Sequence, residues 1–548
     1  MDWRNRTFAE ALLWGAETYG ARPAVVHGDI RLSFSELAER VLAFARGLVE
    51  IGVQPQEKVA LWMADRPEWL IARWAVPMVG AVLVPINTRF RSHDLAYVLK
   101  QSDTATLIMQ DGARGTSYID LLMGLEPAMG GSRLNGWASA ALPGLQRVVC
   151  LSDSPTPAGM RDFYALEAQG RSLLANGQAD DVLQARISAV QPDDVAQILY
   201  TSGTTSFPKG AQVCHGPLLQ NNFQTIKRMR LTSEDRYLSC VPLFSATGTS
   251  YTLSMHLAGA RMVILDRFDA ASFCSTVQKE GITVSFFVDA IVEDLRQFAE
   301  RGKYDLSSLR TGTGAPLSKS SFMFVTQEMK VPELISVYGM SETSNAVARA
   351  SCDDPLEKRM GTNGRPVDGV RIRIAEVDSN QTLPSGRVGE ICIAGYVLMK
   401  GYYEQPDEDR KVFDADGWLH SGDLGEIDAD GYLIYRGRVK EMIKPGGFNV
   451  ATQEIEQFLK TYPGVREAVV VGVPDRRLGE VGYAYIEPHR AAQLTSEALV
   501  AYCREHIASY KVPRYVEFIT DWPMTGSQKI RKLELKARAS AQLQEIMQ

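Results

Sequence analysis

Four strings in this sequence hold residue types that handle phosphate, metal and carboxylate. The first is Tyr200-Thr201-Ser202-Gly203-Thr204-Thr205-Ser206-Phe207-Pro208-Lys209-Gly210, with two glycines, five Ser/Thr hydroxyls and one lysine. A loop of this make-up offers backbone N–H groups, hydroxyls and a cation to an oligophosphate. It is not a Walker loop, which needs Gly-Lys-Ser/Thr before a helix; here Lys209 is followed by Gly210 and Ala211. The second is Val337-Tyr338-Gly339-Met340-Ser341-Glu342-Thr343, where Glu342 offers the hard oxygen that Mg²⁺ takes beside substrate phosphates. The third is Gly417-Trp418-Leu419-His420-Ser421-Gly422-Asp423-Leu424-Gly425. A carboxylate after a glycine turn accepts two hydrogen bonds at once, which suits the paired hydroxyls of a ribose. The fourth is the basic run Pro523-Met524-Thr525-Gly526-Ser527-Gln528-Lys529-Ile530-Arg531-Lys532. Taken singly, each has a bland alternative: a polar turn, a solvated carboxylate, a solvated lysine.

The elements that must position these strings alternate between strand and helix. Ser33 caps a helix reaching Val49, with Glu36 three residues on as a capping box. Val59–Met63 reads as a buried strand, 66–78 as helix and 80–86 as strand. An apolar strand-like run, 195–199, precedes the first string, and 215–229 (helix) and 237–241 (strand) follow it. Such alternation implies a parallel sheet covered by helices. Residues 112–194 are less periodic and are assigned no chemistry. Pro242-Leu243-Phe244-Ser245-Ala246-Thr247-Gly248 opens another helix, and Asp289 after Phe286-Phe287-Val288 is expected to cap the next. Gly389–Gly395 and Gly401-Tyr402-Tyr403 read as a small β-rich subdomain, and 424–436 as a hairpin turning at Asp430-Gly431. His420 is expected to pack, since nothing near it in sequence orients it. The tail has its own pattern: Ile455, Phe458 and Leu459 at helix spacing, strands at 468–473 and 482–486, a helix at 496–507.

Bulk properties exclude several classes. A chain of 548 residues allows several domain-sized units. Hydrophobic content of 45% and charged content of 23% are those of a globular protein, and the net charge of −6 gives no footprint for nucleic acid. The seven cysteines are scattered without a C-x-x-C pair, which indicates neither disulfides nor zinc and favours a reducing, cytoplasmic setting. The N-terminus lacks a signal-peptide core. The most apolar stretch, 75–86, is too short to span a bilayer.

The strings, in this order, resemble those of the acyl-adenylate-forming (AMP-binding) superfamily, most closely acyl-CoA synthetases. The resemblance covers nearly the whole chain. It implies an α/β fold: a large N-terminal domain (1–437) with two parallel helix-covered sheets and a small β-barrel-like subdomain, then a small mobile α+β domain (438–548) with a hinge near Lys440. It implies that Thr201, Ser202, Gly203, Thr204, Thr205 and Lys209 cradle ATP phosphates. Gly314, Ala315 and Pro316 would line the adenine, on which Tyr338 stacks beside Gly339. Ser341 would meet the α-phosphate, Glu342 would hold Mg²⁺, and Asp423 with Arg438 would take the ribose. Lys529 would be the catalytic lysine, with Lys209 and Glu342 beside it. Lys444, Gly446 and Gly447 would line the CoA path, and Phe244, Ser245 and Gly248 the acyl pocket. The chain departs from the family pattern at Ser206 and Gln528 (usually glycine), Ser245 (often histidine) and Asp289 (usually proline).

The implied activity is an acid–thiol ligase acting on a small carboxylic acid, ATP and CoA in two half-reactions. Alternatives within reach of the same motifs are an acyl-AMP ligase loading a carrier protein, a luciferase-like oxidase, and a catalytically silent nucleotide-binding member. Fatty, alicyclic, aryl and sterol side-chain acids all remain open as substrates, as does a monomer or a homodimer.

Overall fold

The computed structural model describes residues 2–125, 141–175, 180–201, 208–315, 317–377, 379–443, 445, 450–475, 477–490, 492–524 and 529–546. The chain divides into two compact units, Met1–Arg371 with Ala394–Asp414, and Ile372–Ile393 with Ala415–Gln548.

Among the described residues the first unit holds a nine-stranded and a seven-stranded sheet. In the larger, the run Glu333–Met340, Thr311–Gly314, Val284–Phe287, Arg236–Ser239, Arg261–Ile264, Pro23–His27 is parallel throughout. Its antiparallel members lie at the edges: Asn345–Arg349 and Arg365–Pro366 on one side, Ile30–Ser33 on the other. The smaller sheet runs Lys209–Cys214, Val195–Thr201, Val82–Pro85, Lys58–Trp62, Thr104–Gln110, Arg147–Leu151, Arg161–Asp162, and only its first pair is antiparallel.

The sequence explains these elements locally. Parallel strands are covered on both faces, so they read as unbroken apolar runs rather than alternating ones. Val59, Ala60, Leu61 and Trp62 are all fully buried. Trp62, Trp69 and Trp74 are among the largest fully buried side chains. The helix Phe34–Glu50 starts with the expected box: Glu36 N donates to Ser33 Oγ at 3.1 Å, and Ser33 N to Glu36 Oε2 at 2.7 Å. Thr7 and Glu10 build the same device ahead of Phe8–Tyr19.

In the second unit, Val370–Ala375, Gly389–Gly395, Leu419–Ile427 and Leu433–Arg438 form a sheet in that order. It is an open ladder, where a barrel-like closure was expected. The hairpin turns at Asp428–Tyr432, with Gly431 at φ +84°, a conformation glycine adopts without a steric penalty. A three-stranded sheet of Val465–Asp475, Gly479–Pro488 and Tyr515–Phe518 is buried on both sides. Ala468, Val470, Ala484 and Ile486 meet Ile455, Leu459, Leu499 and Cys503. Val469, Val471 and Tyr485 meet Leu535 and Ala539 of the helix Lys532–Ile546. The strand alternation of period two thus feeds two cores at once.

Two expectations about single residues need correction. Asp289 does not cap its own helix; Val288 holds the N-cap position of Asp289–Gln297. The Asp289 carboxylate accepts instead from Ser318 N at 3.0 Å and Ser318 Oγ at 2.7 Å, tying together the starts of two helices 29 residues apart. Gly401-Tyr402-Tyr403 does not belong to the β-rich subdomain. It pairs with the strand Lys209–Cys214 of the first unit: Gln212 N donates to Gly401 O at 3.1 Å and Tyr403 N to Gly210 O at 2.8 Å.

Asp65, in the loop after Lys58–Trp62, accepts from Leu243 N at 2.9 Å and so anchors the loop ahead of the helix Ala246–Ala258. Burial pushes its carboxyl up to about 7, with the Leu243 N–H and Arg114 pulling the other way. A carboxyl raised above its unfolded value of about 3.9 holds a proton in the folded chain that the unfolded chain releases, so stability falls as pH climbs between the two values. Asp65→Asn keeps the acceptor oxygen and removes the charge. It is expected to raise Tm more at about pH 8 than at about pH 5; thermal melts at both pH values check this, and an equal shift at both would contradict it.

Candidate functional site

The candidate phosphate group forms where strands of the two large sheets end, the place where open α/β sheets receive ligands. Thr201 ends Val195–Thr201 and lies opposite Lys209, which begins the next antiparallel strand. The loop between them therefore joins two strands, unlike a Walker loop, which leads into a helix. Ser202, Gly203, Thr204, Thr205 and Ser206 lie outside the described residues, but both feet of the loop are placed.

Glu342 sits in a single helical turn, Ser341–Thr343, directly after Glu333–Met340. It is 7% exposed, and its Oε1 accepts from Tyr402 OH at 2.9 Å, with Thr201 Oγ1 at 3.5 Å. These hydroxyls give a carboxylate taken out of water hydrogen-bond partners. Burial and then the Glu342 charge hold the Tyr402 phenol far above its usual range, so it remains a donor. Lys209 stands over the Tyr402 ring, 5.1 Å from its centroid, and pairs with Glu408. Lys209 and Lys411 hold the Glu408 carboxyl down to about 2.

Gly339 admits no side chain: a Cβ there would stand 2.3 Å from Ala346 Cα and from Asn345 O. Tyr338 before it is buried. Gly314 ends the neighbouring parallel strand, and Ala315 N donates to Phe287 O at 3.3 Å; Pro316 lies outside the described residues. Ser245 is the N-cap of Ala246–Ala258: its Oγ accepts from Gly248 N at 3.0 Å and donates to Pro242 O at 2.7 Å. Phe244 is half-buried beside it.

The second unit gathers a different set. Asp423 and Arg438 face each other in register across two antiparallel strands, with Arg438 Nε 2.8 Å from Asp423 Oδ1. Lys529 lies within their electrostatic reach. Burial first, then the Arg438 guanidinium, hold its ammonium below the usual lysine value, and Asp423 works the other way. Lys440 is exposed in the turn Val439–Glu441 that follows Arg438. Lys444, Gly446, Gly447 and Gln528 lie outside the described residues.

His420 is oriented after all. Its Nδ1 is 2.8 Å from Glu390 Oε2, and Glu390 Oε1 accepts from Gly422 N at 2.9 Å. Glu390 therefore pins both residues flanking Ser421, next to Asp423. Glu390, Cys392 and His420 are the one group of three metal-type donors within 4.8 Å of one another among the described residues. For Mg²⁺, the all-oxygen surroundings of Glu342 are the better match.

Sequence reasoning missed Tyr402, Glu408 and Glu390. The Tyr402-Tyr403 pair after a glycine was visible, but its partner lies 60 residues away. Glu408 had no local signal, its partner being 199 residues distant.

The sequence matches the family described as AMP-binding enzyme over residues 12–403, and the AMP-binding enzyme C-terminal domain over 454–529. The chain belongs to this family. It is 36% identical over 539 residues to YngI of Bacillus subtilis, covering 97% of each. It is 34% identical over 534 residues to the 3-[(3aS,4S,7aS)-7a-methyl-1,5-dioxo-octahydro-1H-inden-4-yl]propanoyl:CoA ligase of Rhodococcus jostii, covering 97% of this chain and 98% of that one. The crystal structure of the anthranilate CoA ligase AuaEII in complex with anthranoyl-AMP shares the fold, with a TM-score of 0.82 at 22% identity over 98% of each chain.

The Tyr402 hydrogen bond can be tested apart from turnover. Tyr402→Phe removes one donor from a buried charged acceptor, worth about 1.5–3 kcal/mol. Magnesium-dependent ATP binding is expected to weaken by about tenfold or more, measured by titration calorimetry with and without Mg²⁺. Unchanged affinity with Mg²⁺ would contradict the assignment.

Proposed function

We propose that this chain is an AMP-forming carboxylic acid–CoA ligase, an acyl-CoA synthetase. The observation that carries the reading is the meeting of Thr201, Lys209 and Glu342 at the ends of two sheets, in a chain that belongs to the AMP-binding enzymes.

In the first half-reaction a carboxylate oxygen attacks the α-phosphorus of ATP, and the bond to pyrophosphate breaks. In the second the CoA sulfur attacks the acyl carbon, the bond to AMP breaks, and the thiol proton leaves. The first step brings an anion to an anion, so positive charge and N–H groups must be in place beforehand. Lys209 and the loop 202–207 receive the phosphates; Glu408 releases Lys209 to them. Glu342, held by Tyr402, is the residue that would hold Mg²⁺, which screens phosphate charge when bound. Asp423 and Arg438 take the ribose, with Glu390 fixing that strand. Lys529 neutralises the attacking carboxylate. Its depressed ammonium matches a desolvated catalytic site. No protein nucleophile is required.

The domain boundary belongs to the same reading. Residues 1–437 form the adenylation domain and 438–548 the mobile domain, turning at Lys440 so that Lys529 serves the first step and the Gly446-Gly447 segment the second. Phe244, Ser245 and Gly248 border the acid. No disulfide joins the cysteines among the described residues, which fits a cytoplasmic enzyme. Among the described residues no helix is long and apolar enough to cross a membrane.

The acid belongs to the apolar classes. The Rhodococcus relative is named for a bicyclic propanoate and mouse ACSF2, 29% identical over 553 residues, for medium-chain acyl groups. The test is a panel of medium-chain, alicyclic, aryl and sterol side-chain acids read by ATP–pyrophosphate exchange, then by thioester formation with CoA. Lys529→Ala is expected to lower exchange by about 10²–10³-fold while thioester formation from supplied acyl-adenylate largely survives. Equal loss of both steps would count against Lys529, and no exchange with any acid would end the reading.

A further inference from the structure

The turn that holds Lys440 is tied to the residues just after Lys529 by one partly buried ion triad. Lys532 opens the helix Lys532–Ile546, and its Nζ lies 2.5 Å from Glu441 Oε2 and 2.9 Å from Glu456 Oε1. Glu441 is the last residue of the turn Val439–Glu441. Glu456, on the helix Thr452–Leu459, is buried and also accepts from Val470 N at 2.8 Å, which anchors the triad to the central sheet. Burial opposes the charge on Lys532, yet the two carboxylates outweigh it and keep the ammonium above the usual lysine value.

The surrounding backbone is tied down on both sides of this contact. Directly after Glu441, Met442 and Ile443 pair with Ala451 and Val450, and Ile443 is buried in the small core. Directly before Lys532, Arg531 N donates to Pro523 O at 2.7 Å, and Met524 bridges Ile530. The turn Val439–Glu441 thus lies between two paired stretches, Leu433–Arg438 before it and Met442–Ile443 after it. A neutral residue at 532 would leave Glu456 buried without its cation, which is costly to the fold.

We propose that Lys532 is a positioning residue: through Glu441 it locks the hinge turn to the Lys529 loop, so that rotation at Lys440 carries Lys529 as one rigid piece. The proposal rests on the reading of Lys440 as hinge and Lys529 as catalytic lysine. Holding Lys529 loosely should cost the adenylation step, which needs that lysine placed closely, more than the CoA step, which does not.

The experiment compares Lys532→Met, Lys532→Arg and Glu441→Gln in the full chain. Lys532→Met is expected to lower the kcat of ATP–pyrophosphate exchange by about tenfold or more with KM for ATP little changed, and to leave thioester formation from supplied acyl-adenylate within about threefold. Lys532→Arg should restore most of the exchange. Glu441→Gln should reproduce the loss without disturbing the Glu456 pair, and combining it with Lys532→Met should add nothing further. Equal losses in both half-reactions, or additive losses in the double variant, would overturn the proposal and leave the triad a local stabiliser. Lys529→Ala separates the two levels: exchange that survives that change overturns the underlying reading, whatever Lys532 does.

Discussion

A carboxylate withdrawn from water needs hydrogen-bond donors in place of those it leaves behind. Glu342 is such a group. The Tyr402 hydroxyl and, at longer range, the Thr201 hydroxyl face one of its oxygens. Tyr402 can do this only because residues 400–403 lie along the strand that starts at Lys209. That strand is antiparallel to the one ending at Thr201, so a single added segment brings Tyr402 to Glu342 beside Thr201 and Lys209.

The second unit solves a different electrostatic problem. Two cations, Arg438 and Lys529, sit near one buried carboxylate, Asp423. Desolvation and the neighbouring guanidinium weaken the hold of Lys529 on its proton. The Lys532 triad has the opposite balance, one cation between two carboxylates, and stays charged. Three residues therefore separate a lysine whose ammonium is weakened from one whose ammonium is reinforced.

Much of this was legible in the sequence because it was local. The Ser33/Glu36 box lies within one helical turn. Val59 to Trp62 is an unbroken apolar run because both faces of a parallel strand are covered. The four chemical strings are contiguous runs of neighbouring residues, so their residue types and spacing could be read directly. Misreadings came where a polar side chain had a distant partner. Asp289 looked like a cap and instead joins two helix starts through Ser318. His420 looked unguided, yet Glu390 lies across the sheet from it. The Gly401-Tyr402-Tyr403 segment was placed with the wrong sheet, because an edge strand carries no mark of the strand it will join.

The sequence by itself determined the class of chemistry, the family and the order of elements, for these depend on residue type and short spacing. The tertiary structure alone decided which polar groups restrain which. Tyr402 meets Glu342, Glu408 meets Lys209 and Lys532 meets Glu441 across 60, 199 and 91 residues. Such pairs follow from strand order and register, which fold in three dimensions and leave no periodic trace along the chain.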